Sequence, residues 1–288
     1  MLGLASILMV PMVSIGTVFG HPVTGFVTPI GFSLIVGAFL FGIGMQMSGG
    51  CASGTLFLLG GGNMTFLLTL MTFVIGSTVG AAHYGFWHDL PSLAPMTVFD
   101  FGSWQAMLGI EVVVLACACW WLPSKTTLSR KTMAGAVGLA ILNFATLLIA
   151  GRPWSETFGF ALWGSKIAAH LGFEPATWVF WASSDVQRIS VFQDTTSIMD
   201  FAIIVGAMLA ASISRRFDLR ISRDWRTWLS AAVGGLMMGY GARLADGCNI
   251  GAYFSAIASG SFSGYVWAAA ALLGSALGIR LRRASLNR

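Results

Sequence analysis

Runs of about twenty apolar residues recur along the whole chain, separated by short polar or basic connections. At a rise of about 1.5 Å per residue, such a run matches a bilayer core roughly 30 Å thick. Charge is scarce to the same degree: 9% of residues are charged and 56% are hydrophobic, where a soluble domain carries about 25% charged residues. So few charges cannot cover a water-facing surface. The alternation of a transmembrane barrel is absent. The fold class read from this pattern is an all-α membrane protein with about eight transmembrane helices. They are expected at 2–20, 28–47, 63–83, 103–122, 132–151, 196–214, 227–245 and 262–281. The first run is read as a permanent helix, because nothing basic precedes it and no cleavage site follows.

The basic residues serve as topology markers. Lys125, Arg130 and Lys131 share one connection, Arg215, Arg216, Arg220, Arg223 and Arg226 a second, and Arg280, Arg282, Arg283 and Arg288 the tail. These twelve of the sixteen Lys and Arg residues are assigned to the cytoplasm. Threading the helices alternately keeps all three segments on one side, and the segments 21–27 and 84–102, which hold no Lys or Arg, fall outside. The same placement argues against nucleic acid as a partner, despite the net charge of +5. The stretch 152–195 is also external by this count; short helices partly sunk into the protein and an ordinary loop are both open readings.

The chain contains a duplication. VGAFLFGIGMQMSGGCASGTLF at 36–57 aligns with VGGLMMGYGARLADGCNIGAYF at 233–254. At a constant offset of 197, eight of 22 positions are identical: Val36/Val233, Gly37/Gly234, Gly42/Gly239, Gly44/Gly241, Gly50/Gly247, Cys51/Cys248, Gly54/Gly251 and Phe57/Phe254. After one inserted residue, Gly62, Gly76, Ser77 and Gly80 face Gly260, Gly274, Ser275 and Gly278. The domain organisation is thus a single membrane transporter domain, 1–288, with repeat copies at 28–83 and 227–281. The loop count sends helix 28–47 inward and helix 227–245 outward, so the copies are expected to be inverted, as in many secondary transporters.

Each motif also interrupts its helix. Between Gly50 and Gly60 only about nine residues are free to be helical, roughly 13 Å of rise, and 248–259 is equally short. These pieces are expected to be re-entrant half-helices, their irregular backbone sheltered by protein or a water-filled cavity. A helix that starts just after a cysteine aims its free N–H groups and positive dipole end at the centre, which favours an anion.

Cys51 and Cys248 occupy the equivalent point of both copies. A thiol is a weak, polarizable donor suited to a soft ligand; the bland alternative is a small buried filler, which a matched pair in a Gly-rich kink makes less economical. A two-cysteine metal site lacks nearby partners apart from Asp246. Cys117 and Cys119 have no counterpart in the repeat and are read as packing residues. Arg243 and Asp246 replace Gln46 and Gly49 of the first copy, and either pair with each other or leave Arg243 to gather an anion. Glu111 lies inside an expected span, where a carboxylate is a functional candidate or part of a buried hydrogen bond. Ser53, Thr55, Asn63 and Asn249 supply polar groups beside the motifs. The substrate-pathway set is therefore Cys51, Cys248, Gly50, Gly54, Gly247, Gly251, Ser53, Asn249 and Arg243. Gly37, Gly42 and Gly44, with their partners, are the expected points of close helix approach.

At GIGMQMSGGCASGTLF (42–57) and GYGARLADGCNIGAYFSAIASG (239–260) the chain resembles the YeeE/YedE family of sulfur-compound transporters. The resemblance implies an inverted-repeat helical bundle with half-helices meeting centrally, import of thiosulfate or a related small anion, and cysteines that hand the anion along by S–H hydrogen bonds. By motif that role falls to Cys51 and Cys248. Typical members begin with a further segment bearing a Gly-Arg-Phe-Cys motif, which nothing before residue 36 matches. At the offset of 197 the counterpart of 132–195 would likewise lie before Met1, so either the chain is a shortened version or its start site is misassigned, and a third pathway cysteine is an open question.

A transporter of a small sulfur anion accounts for the inverted repeat, the paired cysteines and the facing helix ends together. A membrane sulfurtransferase or redox enzyme would use the cysteines covalently and should carry a quinone, haem or nucleotide site, for which there is no motif. A structural subunit would explain the glycines alone. No cofactor or metal is called for, and the expected setting is the bacterial cytoplasmic (inner) membrane. The expected partners are the anion, the surrounding lipid and a cytoplasmic sulfur-carrier protein.

Overall fold

The computed structural model describes residues 1–121, 129–182 and 188–286. In chain order the helices are α1 (Leu2–Ile15), α2 (Phe32–Ser48), α3 (Ala52–Gly60), α4 (Thr65–Ala82), α5 (Tyr84–His88), α6 (Trp104–Trp121), α7 (Arg130–Ala150), α8 (Thr157–His170), α9 (Thr195–Ile213), α10 (Trp225–Leu244), α11 (Ala256–Ala258) and α12 (Ser263–Leu286). A π-helical run, Asn249–Ser255, precedes α11. Among the described residues, strand is confined to two-residue pieces, such as the pairing of Thr17–Val18 with His21–Pro22.

Each of the eight expected spans coincides with a helix. Among the described residues, five stretches are long and apolar enough to cross a membrane: Phe32–Gly60, Thr65–Ala82, Arg130–Ala150, Thr195–Ile213 and Ser263–Ala284. Leu2–Ile15 and Trp104–Val114 are shorter apolar helices. The first helix stops before the expected residue 20, because Gly16 adopts φ 73° and its N–H closes onto the Met12 carbonyl. Helix α10 has 20 residues but carries Arg226, Arg243 and four glycines. It packs along α2 and α4, so protein rather than lipid covers much of it. Lys125 and Arg288, two of the basic residues assigned to the cytoplasm, lie outside the described residues.

The chain divides into two compact units. One comprises residues 1–30, 93–154 and 251–265. Its core gathers Ala5, Met9, Val23, Ala140, Leu147, Phe254 and Ala258. Ser6 Oγ of α1 donates to Glu111 Oε1 of α6 at 2.7 Å, so the Glu111 carboxylate takes part in a buried hydrogen bond. The Asn143 amide donates to Ser255 Oγ at 3.3 Å, and its oxygen accepts from the Trp154 N–H at 2.9 Å. Cys117 is exposed on α6, and the side chain of Cys119 lies outside the described residues.

The second unit comprises residues 31–92, 155–250 and 266–288. An aromatic chain runs through it: Trp267 to Phe41 at 5.6 Å between ring centroids, Phe41 to Phe73 at 6.3 Å, and Phe73 to Phe160 at 4.9 Å. The helix crossings are set by glycine, and the closest approaches to backbone atoms come in matched pairs. A Cβ on Gly42 of α2 would stand 2.2 Å from the Ala271 carbonyl oxygen of α12, and one on Gly239 of α10 would stand 2.0 Å from the Phe73 carbonyl oxygen of α4. A Cβ on Gly76 would meet the Leu236 oxygen at 2.3 Å, and one on Gly274 the Phe39 oxygen at 2.0 Å. Every residue in the second contact of each pair is the first contact's residue displaced by 197 or 198 positions.

In the stretch 152–195, α8 is a buried helix, with Phe160, Ala161 and Leu162 fully inaccessible. Short 3-10 turns follow at Pro175–Thr177 and Val179–Trp181. The sunken-helix reading holds over these described residues.

Candidate substrate pathway

Cys51 stands where α2 ends and α3 begins. Gly49 closes α2 in the left-handed region, with φ 83° and its N–H on the Met45 carbonyl at 3.1 Å. Two residues later Cys51 is extended and caps α3, its sulfur accepting from the Gly54 N–H at 3.3 Å. The Ser53 hydroxyl lies 3.4 Å from the same sulfur, and the Cys51 carbonyl takes the Thr55 N–H and hydroxyl, both at 2.8 Å. A thiol in place of the usual Ser, Thr, Asp or Asn leaves a soft, half-buried atom at the positive end of the helix. Glycine at 54 clears that atom, since a Cβ there would sit 3.3 Å from Sγ; one at Gly50 would meet the Phe66 ring at 3.0 Å.

A cavity of about 430 Å³ adjoins this turn, lined among others by Ser48, Gly49, Asn63, Phe66, Arg220 and Arg282. Arg282 Nη1 donates to the Gln46 carbonyl at 3.2 Å, over the last turn of α2. The Arg220 backbone is stitched to the α3–α4 turn, its N–H on the Gly62 carbonyl at 2.9 Å and its carbonyl accepting from Met64 at 3.0 Å.

Cys248 follows α10 in the corresponding way, but its surroundings differ. Asp246 takes a left-handed φ of 55°, and Gly247 and Cys248 are buried. The segment after Cys248 is π-helical rather than α-helical, which departs from the expected half-helix. A π turn absorbs an extra residue, and this segment is one residue longer than its counterpart α3. Asn249 Oδ1 is buried without a hydrogen-bond partner. Gly251, also buried, belongs to the first unit, whereas the other eight expected pathway residues belong to the second.

The Cys248 thiol donates to Glu156 Oε2 at 3.8 Å. Glu156 precedes α8 as its N-cap residue, yet its side chain makes no cap bond and turns to the cysteine instead. It is fully buried, and burial pushes its carboxyl up to about 8, opposed by the hydrogen bond from Cys248. Arg243, only 3% exposed, donates from Nη2 to Thr157 Oγ1 at 3.5 Å and lies 4.5 Å over the Phe180 ring. Its Nε and Nη1 have no hydrogen-bond partner. Of the two readings for Arg243, the direct pair with Asp246 is therefore not the one its donors make. Asp200 of α9 is also fully buried, with both oxygens unpartnered, and a Cβ on Gly159 would stand 2.6 Å from Oδ2.

Glu156, Thr157, Phe180 and Asp200 escaped the sequence reading. Asp200 had a signal, a lone acid inside an apolar run, the same one that marked Glu111. Glu156 had only its place in a Trp- and Phe-rich segment.

The profile of the family described as "Sulphur transport" matches residues 1–277. The chain belongs to the Sulphur transport family. It is 27% identical over 246 residues to the thiosulfate transporter TsuA of Spirochaeta thermophila, covering 77% of this chain and 69% of that one. It is 26% identical over 245 residues to TsuA of Escherichia coli, covering 75% and 65%. With the probable transporter YedE of Salmonella typhimurium it shares 29% over 163 residues, 56% of this chain and 40% of the relative. The matched part thus spans about two thirds of the TsuA proteins and well under half of YedE. Membership in the Sulphur transport family makes the chain a transporter rather than an enzyme, and its long apolar helices make it a multi-pass membrane protein.

Proposed function

We propose that this chain takes up a small sulfur-containing anion, thiosulfate before others, across the bacterial cytoplasmic (inner) membrane. The observation that carries the reading is the matched position of Cys51 and Cys248 in two segments whose helix contacts are exchanged reciprocally. In this reading 28–83 and 227–281 are inverted copies, and the segments after the two cysteines are re-entrant. The anion enters from outside, meets Cys248, passes the midplane and leaves past Cys51. Arg243, with two unpartnered donors, attracts it, and Asn249 and Ser53 offer polar contacts at each station. Gly50, Gly54 and Gly247 keep the backbone close and uncrowded there. Neutral thiols offset lost hydration without binding so tightly that release stalls. Lipid surrounds the apolar helix faces, and a cytoplasmic sulfur-carrier protein is the candidate acceptor beyond Cys51. The names of the two TsuA relatives support thiosulfate as the anion.

The test is uptake of radiolabelled thiosulfate, with sulfate as competitor, in transport-deficient cells expressing the wild type, Cys51→Ala, Cys248→Ala or the double variant. Loss of uptake in both variants at normal membrane levels supports the path. Intact uptake in the double variant overturns it.

A further inference from the structure

The Cys248 station holds two buried acids that passage along neutral thiols leaves without a task. Glu156 accepts the Cys248 S–H on Oε2, while its Oε1 is buried and unpartnered. Asp200, within electrostatic reach of Glu156, has neither oxygen satisfied. An ionised carboxylate beside an anion route repels the anion, and low dielectric magnifies the effect. A protonated carboxyl is neutral, keeps an acceptor for the thiol and presents one O–H donor.

The charges around Glu156 are countable among the described residues. From α10 and the turn after it come Arg243, which reaches Thr157 beside Glu156, and then Asp246 and Cys248. From α9 come Asp200 and its cap Asp194, whose carboxylate takes the Ser197 N–H and hydroxyl at 2.8 Å and the Thr196 hydroxyl. Tyr84 and His88 of α5 face Arg243 and Asp246. Helix α4, packed along α8, carries no titratable residue, and Lys166 and His170 sit in the later turns of α8 itself. Acids outnumber the single guanidinium, and burial already favours the proton on Glu156.

We propose that Glu156 is a positioning residue for the Cys248 thiol and acts as a proton-controlled gate on the anion path. Protonated, it orients the S–H and admits the anion; ionised, it holds the thiol to itself and turns the anion away. The step is one proton leaving Glu156 for solvent or returning from it, with no change at sulfur. This inference rests on the reading that Cys248 lies on the path.

The test combines thiosulfate uptake against pH with the infrared S–H stretching band of purified protein, assigned by its loss in Cys248→Ala. Wild-type uptake is expected to fall roughly tenfold per pH unit above about 8. Glu156→Gln, which mimics the neutral carboxyl, keeps uptake and loses that alkaline fall. In Glu156→Ala the S–H band moves to higher frequency as the hydrogen bond is lost. The gate is overturned if Glu156→Gln shows the wild-type pH profile, or loses uptake at every pH while inserted normally, or if the S–H band stays in place in Glu156→Ala. A wild type that takes up no thiosulfate sinks the transport reading instead, and the S–H band then decides the Glu156–Cys248 pairing alone.

Discussion

Gly239 of α10 lies so close to Phe73 of α4 that an added Cβ would stand 2.0 Å from the Phe73 carbonyl oxygen. The obstacle is backbone, which cannot swing aside as a flexible side chain would. Gly239→Ala is therefore expected to cost about 1–3 kcal/mol through overpacking, and Gly42→Ala, against the Ala271 carbonyl, about as much. Gly135→Ala on α7, where nothing lies within 4 Å, is expected to be neutral or to stabilise by up to about 1 kcal/mol. Thermal unfolding of the detergent-solubilised protein, followed by size-exclusion chromatography, orders the three variants.

The Cys51 sulfur caps α3 and also stands at the proposed path, and two substitutions separate the roles. Cys51→Ser retains a side-chain acceptor for the Gly54 N–H, so stability is expected to stay within about 0.5 kcal/mol of wild type while uptake falls. Cys51→Ala loses uptake and about 1 kcal/mol of helix capping as well. Full uptake in Cys51→Ser would show that the thiol is not needed for passage.

Arg243 is a buried cation with two idle donors. An apolar replacement of similar length removes the cost of burying that charge. Arg243→Met is expected to melt at or above the wild-type temperature and to lose thiosulfate uptake at least tenfold. A variant that keeps uptake but melts earlier would make Arg243 a structural residue.

Orientation is open to direct labelling. Ser222→Cys, in the basic connection between α9 and α10, is expected to react with a membrane-impermeant maleimide only from the cytoplasmic side. Asp89→Cys, after α5, is expected to react only from outside, each compared with the parent chain. Labelling of both from one side would remove the inverted arrangement of the two repeat copies.

The membrane class, the positions of the helices and the repeated Gly-Cys motif were legible in the sequence, because each rests on a local rule. A run of about twenty apolar residues is a span wherever it occurs, and a duplicated string remains visible without coordinates. The Gly42/Gly239 identity could be read at a fixed offset for the same reason. What tertiary structure alone decided is which groups far apart in the chain share a low-dielectric site. Nothing local links Glu156 to Cys248, 92 residues away, or sends Arg243 to Thr157 and Phe180 rather than to Asp246, three residues on. Those partnerships arise because α8, placed in a segment with no clear pattern, is buried beside α4, α9 and α10, and burial turns an ordinary glutamate into a group whose charge is costly.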